Sequence, residues 1–268
     1  MASKLIDLEK RRYNLMKQYA IRQSLERLEL DHPGFSPLPF VALIAAYEEE
    51  GNIGPVLEKM PATVLGEPYT TIVVVDGGDD RTAEICRSFS GVIVIEFPVN
   101  LGHGVALQVG YRFCIERGAK YIVTLDADGQ NDPVELPELI RDIVEDRSDF
   151  VLASRRLGVD TTENHFRAVG VRVFSFIVNV MTRQHLTDTS TGYRGLRVSM
   201  LADVIDRLEQ EQYQTSELLI TSLKRGWRVT EVPTVWHPRQ SGTTKKGSNW
   251  LFGFRYARVV FKTWWRER

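Results

Sequence analysis

The stretch YIVTLDADGQNDP, Tyr121 to Pro133, decides the fold. An apolar run of strand length passes without a break into Asp126-Ala127-Asp128, followed by Gly129 and Gln130. A near-continuous apolar run is buried on both faces, as strands are in parallel sheets covered by helices. Two carboxylates one residue apart at its end can face one pocket and hold a hard divalent cation, which in turn neutralises a diphosphate. A solvated turn uses the same residue types, so the weight lies in the position directly after a buried strand.

Four further runs repeat the pattern: FVALIAA (Phe40 to Ala46), TIVVV (Thr71 to Val75), VIVIEF (Val92 to Phe97) and FVLAS (Phe150 to Ser154). Helix-length segments separate them, which predicts a doubly covered parallel sheet with ligands beyond the strand carboxyl ends. TIVVV stops at Asp76, which beside Gly77 and Gly78 can accept hydrogen bonds from a nucleobase or ribose. Asp79 and Asp80 read equally well as caps of the next helix. NLGHGVALQVGY, Asn100 to Tyr111, brings Gly102, His103 and Gly104 to a helix start whose free amides favour phosphate. A dinucleotide fingerprint would need glycine at Leu107, so a dehydrogenase is disfavoured.

FVLAS runs into Ser154-Arg155, and Arg167 stands near the start of the next amphipathic segment. Two guanidiniums there could converge on a second phosphate, since the arginine fork binds phosphate oxygens bidentately without titrating. DTSTGYR contributes Asp188, with Arg194 in support; an Asx-type turn is the plainer role for Asp188. A phosphate monoester acceptor needs no general base, whereas a hydroxyl acceptor would ask Asp188 or Glu217 to serve as one. Arg239 and the following SGTTKKG form a basic loop able to close over a diphosphate.

The 268 residues are 43% hydrophobic and 26% charged, with a formal net charge of -1. That is a soluble globular composition, and nothing in the balance attracts nucleic acid. Cys86 and Cys114 lack metal-ligand spacing, which argues against a disulfide framework and for a reducing, cytoplasmic setting. Residues 1–37 read as a helical extension and linker: Ile21, Leu25 and Leu28 fall on one helix face, and DHPGFSPLP, Asp31 to Pro39, ends it. Residues 38–248 read as the main α/β domain, and residues 249–268 as an aromatic and basic helix. This last helix suits either a bilayer surface or core packing with a basic outer face. The extension suits packing on the domain or a homodimer contact.

The ordered motifs resemble family-two glycosyltransferases, and among them the polyprenyl-phosphate glycosyltransferases. The motif P-x-Y-N-E has its counterpart in Ala45 to Glu49, V-D-D-G-S-x-D-x-T in Val75 to Thr82, N-x-G-x-G-x-A in Asn100 to Ala106, and D-A-D-x-Q in Asp126 to Gln130. Ser154-Arg155, Asp188 to Arg194, and Trp236 to Gly242 continue the likeness, which spans about residues 40 to 245. Ala45 replaces the usual proline, Glu48 the asparagine and Gly77 the second aspartate. The resemblance implies an α/β GT-A nucleotide-sugar-binding fold, Rossmann-like, with a mostly parallel sheet flanked by helices.

It implies an inverting hexosyltransferase that uses Mg2+ or Mn2+ and moves sugar from a GDP- or UDP-linked donor, GDP-mannose or UDP-glucose, to a polyprenyl phosphate at a membrane surface. Ala45, Tyr47, Glu49, Asp76, Gly104, Asp126, Ala127 and Asp128 would bind the nucleotide sugar. Asp126, Asp128 and Gln130 would ligate the metal, and Ser154, Arg155 and Arg167 the acceptor phosphate. Asp128, Asp188, Arg155 and Arg239 would carry the catalysis. The alternatives are a hydroxyl acceptor, a glycan or small metabolite, and a non-catalytic nucleotide-sugar-binding protein.

Overall fold

Alternate residues of strand β1, Phe40–Ala46, point into two different cores: Val41, Leu43 and Ala45 into one, Ala42, Ile44 and Ala46 into the other. Its continuous apolar character follows from that double burial. The computed structural model describes residues 2–162, 165–212, 214–239, 241 and 249–268; the side chains of residues 2–8, 10, 165–168 and 249–255 are not described.

The sheet has seven strands in the order β3-β2-β1-β4-β6-β5-β7. Besides β1 these are β2 (Thr70–Val75), β3 (Val92–Glu96), β4 (Tyr121–Asp126), β5 (Phe150–Asp160), β6 (Arg194–Arg197) and β7 (Val229–Trp236). Pairing is parallel except where β6 runs antiparallel to both β4 and β5. The five predicted runs are all strands. β5 continues beyond Ser154 to Asp160 because β7 pairs alongside it, with a register shift between Ser154 and Val159.

On one face lie α2 (Ile53–Glu58), α3 (Thr82–Ser88) and α5 (Leu136–Val144); on the other lie α1 (Ala2–Asp31), α4 (His103–Glu116), α6 (His165–Thr182), α7 (Val198–Val204), α8 (Gln214–Lys224) and α9 (Asn249–Arg266). Helix α1 buries Ala20, Ser24 and Leu28 and half-buries Ile21 and Leu25. Helix α9 buries Tyr256, Val259, Val260 and Thr263. Cys86 and Cys114 are buried free thiols, pushed up to about 12 by that burial and so unreactive as thiolates near neutral pH. Among the described residues no helix is long and apolar enough to cross a membrane.

Candidate active site

Sheet register brings the predicted residues to one edge. Ala46 lies beside Val75 and Ala45 beside Asp126, so Tyr47, Asp76 and Asp126 emerge together from three adjacent parallel strands. Arg194 on β6 faces both Thr124 and Leu152, which puts Asp126 and Ser154 level two residues further on. Gly192 lies between: Thr124 Oγ1 donates to its carbonyl at 2.8 Å, and an added Cβ would come 3.0 Å from Asp126 Oδ1. Only a glycine leaves the Asp126 carboxylate this room.

Asp76 is 2% exposed, and its carboxylate accepts from the amides of Leu101 at 2.7 Å and Gly102 at 2.9 Å. Burial pushes its carboxyl up to about 6, against the downward pull of those two bonds. Gly77 stands at φ 68, and a Cβ there would lie 2.5 Å from the Val99 carbonyl carbon and 2.6 Å from the Asn100 nitrogen. The close approach of Val99-Asn100 leaves no room for the aspartate of the related motif. Glu48 holds φ 49, a left-handed conformation that asparagine adopts more cheaply. The Tyr47 hydroxyl is raised above its ordinary value, mainly by its hydrogen bond with Glu48. Asp80 accepts from the Thr82 amide at 3.1 Å, the capping role weighed for it from sequence.

Ala45 and Ala127 point into the cores, so only their backbones can meet a ligand. The Gly104 amide, expected on a phosphate, donates instead to the Glu211 carbonyl at 2.8 Å, and a Cβ at Gly104 would lie 2.6 Å from the Gln210 oxygen. The start of α4 is therefore capped by this chain's own loop, which corrects that expectation. Glu217 holds the loop: its carboxylate accepts from the amides of Glu209 and Gln210 and from Arg266 Nη1, each within 3.0 Å. Fully buried and thus engaged, Glu217 is no candidate base for a hydroxyl acceptor.

Arg155 and Asp188 meet in a buried bidentate pair, Nε to Oδ2 at 2.6 Å and Nη2 to Oδ1 at 2.9 Å, with the guanidinium stacked on Trp236. The fork expected on the acceptor phosphate is thus spent largely on Asp188. Asp188 also accepts from Ser190 and is wholly buried. Ser154 Oγ lies 2.6 Å from Thr187 Oγ1, and Glu231 accepts from the amides of Thr187 and Asp188 at 2.7 and 2.8 Å. Arg194, 1% exposed, donates to the carbonyls of Thr191, Thr215 and Thr189; burial pulls it down to about 10. It braces the DTSTG turn from beneath.

The sequence pattern described as Glycosyl transferase family 2 matches residues 41–205. The chain belongs to that family. It is 30% identical over 226 residues to an uncharacterized protein of Methanocaldococcus jannaschii, covering 82% of this chain and 88% of the relative. It is 29% identical to the UDP-N-acetylglucosamine–dolichyl-phosphate N-acetylglucosaminyltransferase of Methanococcus voltae, covering 80% of this chain and 91% of that one. Among solved structures, glucosyl-3-phosphoglycerate synthase from Mycobacterium tuberculosis, in complex with Mn2+, UDP and phosphoglyceric acid, superimposes with TM-score 0.67 at 16% identity, covering 88% of this chain and 81% of that one. The fold is GT-A and the chain is a glycosyltransferase. The reading as a non-catalytic binding protein falls with that.

In this glycosyltransferase the donors at Asp126 and Asp128 are oxygens alone, the chemistry a hard divalent cation prefers. Arg239 Nη1 already stands 3.5 Å from Asp128 Oδ2, so a cation is drawn to the spot. Among the described residues no three His, Cys, Asp or Glu gather as a metal site. Gln130 turns its Nε2 to the His237 carbonyl at 3.3 Å. The Arg167 side chain, Gln240 and residues 242–248, with Lys245 and Lys246, lie outside the described residues.

Sequence reasoning missed Asn131 and Glu231. Asn131, 2% exposed, accepts from the Asp126 amide at 3.1 Å and leaves Nδ2 without a partner among the described residues. For Glu231 the signal was present, a charge inside the strand RVTEVP.

Proposed function

We propose that this glycosyltransferase moves a hexose from a nucleoside-diphosphate sugar to a polyprenyl phosphate, with inversion and with Mg2+ or Mn2+. One observation carries the reading: the sheet register brings Asp76 and Asp126 to one strand edge, with Ser154 level with Asp126 across β6. The lipid acceptor draws support from relatives named for it, the Methanococcus voltae enzyme among them.

In this reading Tyr47 and Glu49 hold the nucleoside, Asp76, whose carboxylate is taken up by the Leu101 and Gly102 amides instead of a nucleobase, fixes the backbone beside them, and Asp126 and Asp128 hold the cation. The cation supplies electrostatic stabilisation of the departing diphosphate. Arg167, in the first turn of α6, receives the acceptor phosphate, while buried Ser154 and Arg155 position Thr187, Asp188 and the turn around them. An acceptor phosphate oxygen attacks the sugar C1 as the bond from C1 to the diphosphate oxygen breaks, and a nucleoside diphosphate leaves. No base is required, because a phosphate monoester with a second pKa of about 6 is already anionic. The deep engagement of Asp188 by Arg155 fits that economy.

The same reading seats the protein at a membrane surface. Val169, Val173, Phe176 and Val180 form an exposed apolar stripe on α6 at i, i+4, i+7 and i+11. On α9, which touches α6 through Phe174 and Tyr256, Phe261 and Trp265 are exposed beside Arg258 and Lys262. Apolar side chains fringed by cations suit an anionic bilayer.

Thermal stabilisation by UDP and by GDP, each with and without Mn2+, tests the donor site; a ligand at 100 times its Kd adds about 2.7 kcal/mol. A Mn2+-dependent shift with one nucleotide, lost in Asp128→Ala, is expected. A shift that survives in Asp128→Ala would remove the metal assignment.

A further inference from the structure

The segment after β7 is fixed against the metal motif. The His237 amide donates to the Gln130 carbonyl at 2.9 Å, and Asn131 bridges to Trp236. Two residues further, Arg239 directs Nη2 to Glu49 Oε1 and Nη1 to Asp128, while Nε donates to the Ser241 carbonyl at 2.9 Å. Ser241 is seated in turn: its amide and hydroxyl donate to Asn52 Oδ1 at 2.9 and 2.8 Å, and Asn52 Nδ2 donates to Glu49 Oε2 at 2.6 Å. A Cβ on Gly51 would come 2.5 Å from Ser241 Oγ, so the absence of a side chain at Gly51 makes room for Ser241. The side chains of Arg239, Glu49 and Asp128 are 19%, 10% and 15% exposed. Charges so withdrawn from water interact more strongly than a surface pair.

One guanidinium therefore serves two carboxylates, one assigned above to the nucleoside and the other to the metal. We propose that Arg239 is an internal counter-cation of the donor site, resting on Glu49 and Asp128 until a nucleoside diphosphate draws it away, so that divalent metal binds together with nucleotide and weakly without it. The inference rests on the donor-site reading and adds its regulation.

A divalent cation at Asp128 meets the positive charge of Arg239 and must displace or endure it. A diphosphate offers that guanidinium a richer set of anionic oxygens, which its fork matches bidentately. Nucleotide arrival thus frees the carboxylates when the metal needs them. By linkage, the factor by which nucleotide tightens metal is the factor by which metal tightens nucleotide. Metal without donor binds weakly, so the site fills with a cation mainly when there is a diphosphate to neutralise.

The test is Mn2+ binding to the full chain, followed by loss of the free-ion electron paramagnetic resonance signal, with and without UDP or GDP. Wild type is compared with Arg239→Gln and with Asn52→Ala, which loosens the Ser241 seat and keeps the guanidinium; circular dichroism confirms folding. Arg239→Gln should bind Mn2+ alone about tenfold more tightly than wild type and show a smaller tightening by nucleotide, with Asn52→Ala between them. Equal or weaker binding of Mn2+ alone by Arg239→Gln, with wild type still binding Mn2+ in the presence of nucleotide, would overturn the counter-cation role and leave the donor site standing. Absence of Mn2+ binding by wild type even with nucleotide would overturn both.

Discussion

Asp76 shows how one residue ties the fold to the site. Its carboxyl, raised to about 6 by burial, sits above the ordinary Asp value of about 3.9, so the folded state holds the proton more tightly than the unfolded chain. The stability this lends is full below about pH 4 and is lost as pH rises through about 6. Two units are worth about 3 kcal/mol. Asp76→Asn cannot ionise, so urea melts should show wild type losing about 3 kcal/mol relative to that variant between pH 4 and 7. Parallel curves would contradict the account. Asp76 was legible because it ends a buried strand beside two glycines. The Arg155–Asp188 pair was not, since 33 residues separate its members and only β6 folding back between β4 and β5 brings them together.

At the scale of elements, the strands with a continuous β-branched run could be read from sequence, while β6, with the sequence RGLR, could not. Four residues with two arginines and a glycine carry no period; they become a strand because partners pair on both sides. Gly195 in β6 permits the backbone of Leu139 in α5 to lie directly on it, a constraint no propensity records. The loop before α8 was equally hidden. The Glu211 carbonyl caps α4, Glu217 and Arg266 hold that loop from one side, and Tyr13 and Lys17 of α1 bond the Glu211 carboxylate from the other, at 3.1 and 2.9 Å. The faces of α6 and α9 carry the prediction at this scale. Phe176→Ser with Trp265→Ser should weaken sedimentation with phosphatidylglycerol vesicles about tenfold or more. Each large apolar side chain is worth about 1.5–3 kcal/mol when fully buried, and tenfold in affinity is about 1.4 kcal/mol. Wild type that fails to sediment would remove the membrane seat.

Over the whole molecule, the parallel strand ends gather Tyr47, Asp76 and Asp126, the turn that leads into antiparallel β6 faces them, and α6 carries the exposed apolar stripe. In the proposed function, that arrangement would bring a water-soluble donor and a lipid-borne acceptor to one strand edge. The direct test supplies UDP-glucose or GDP-mannose, polyprenyl phosphate in vesicles and Mn2+, then measures labelled sugar extracted with the lipid together with the nucleotide released. The account predicts a sugar-phosphate lipid formed one for one with nucleoside diphosphate, abolished by chelation and in Asp128→Ala. Nucleoside diphosphate released equally with and without the lipid, with no labelled lipid under any donor, would contradict it.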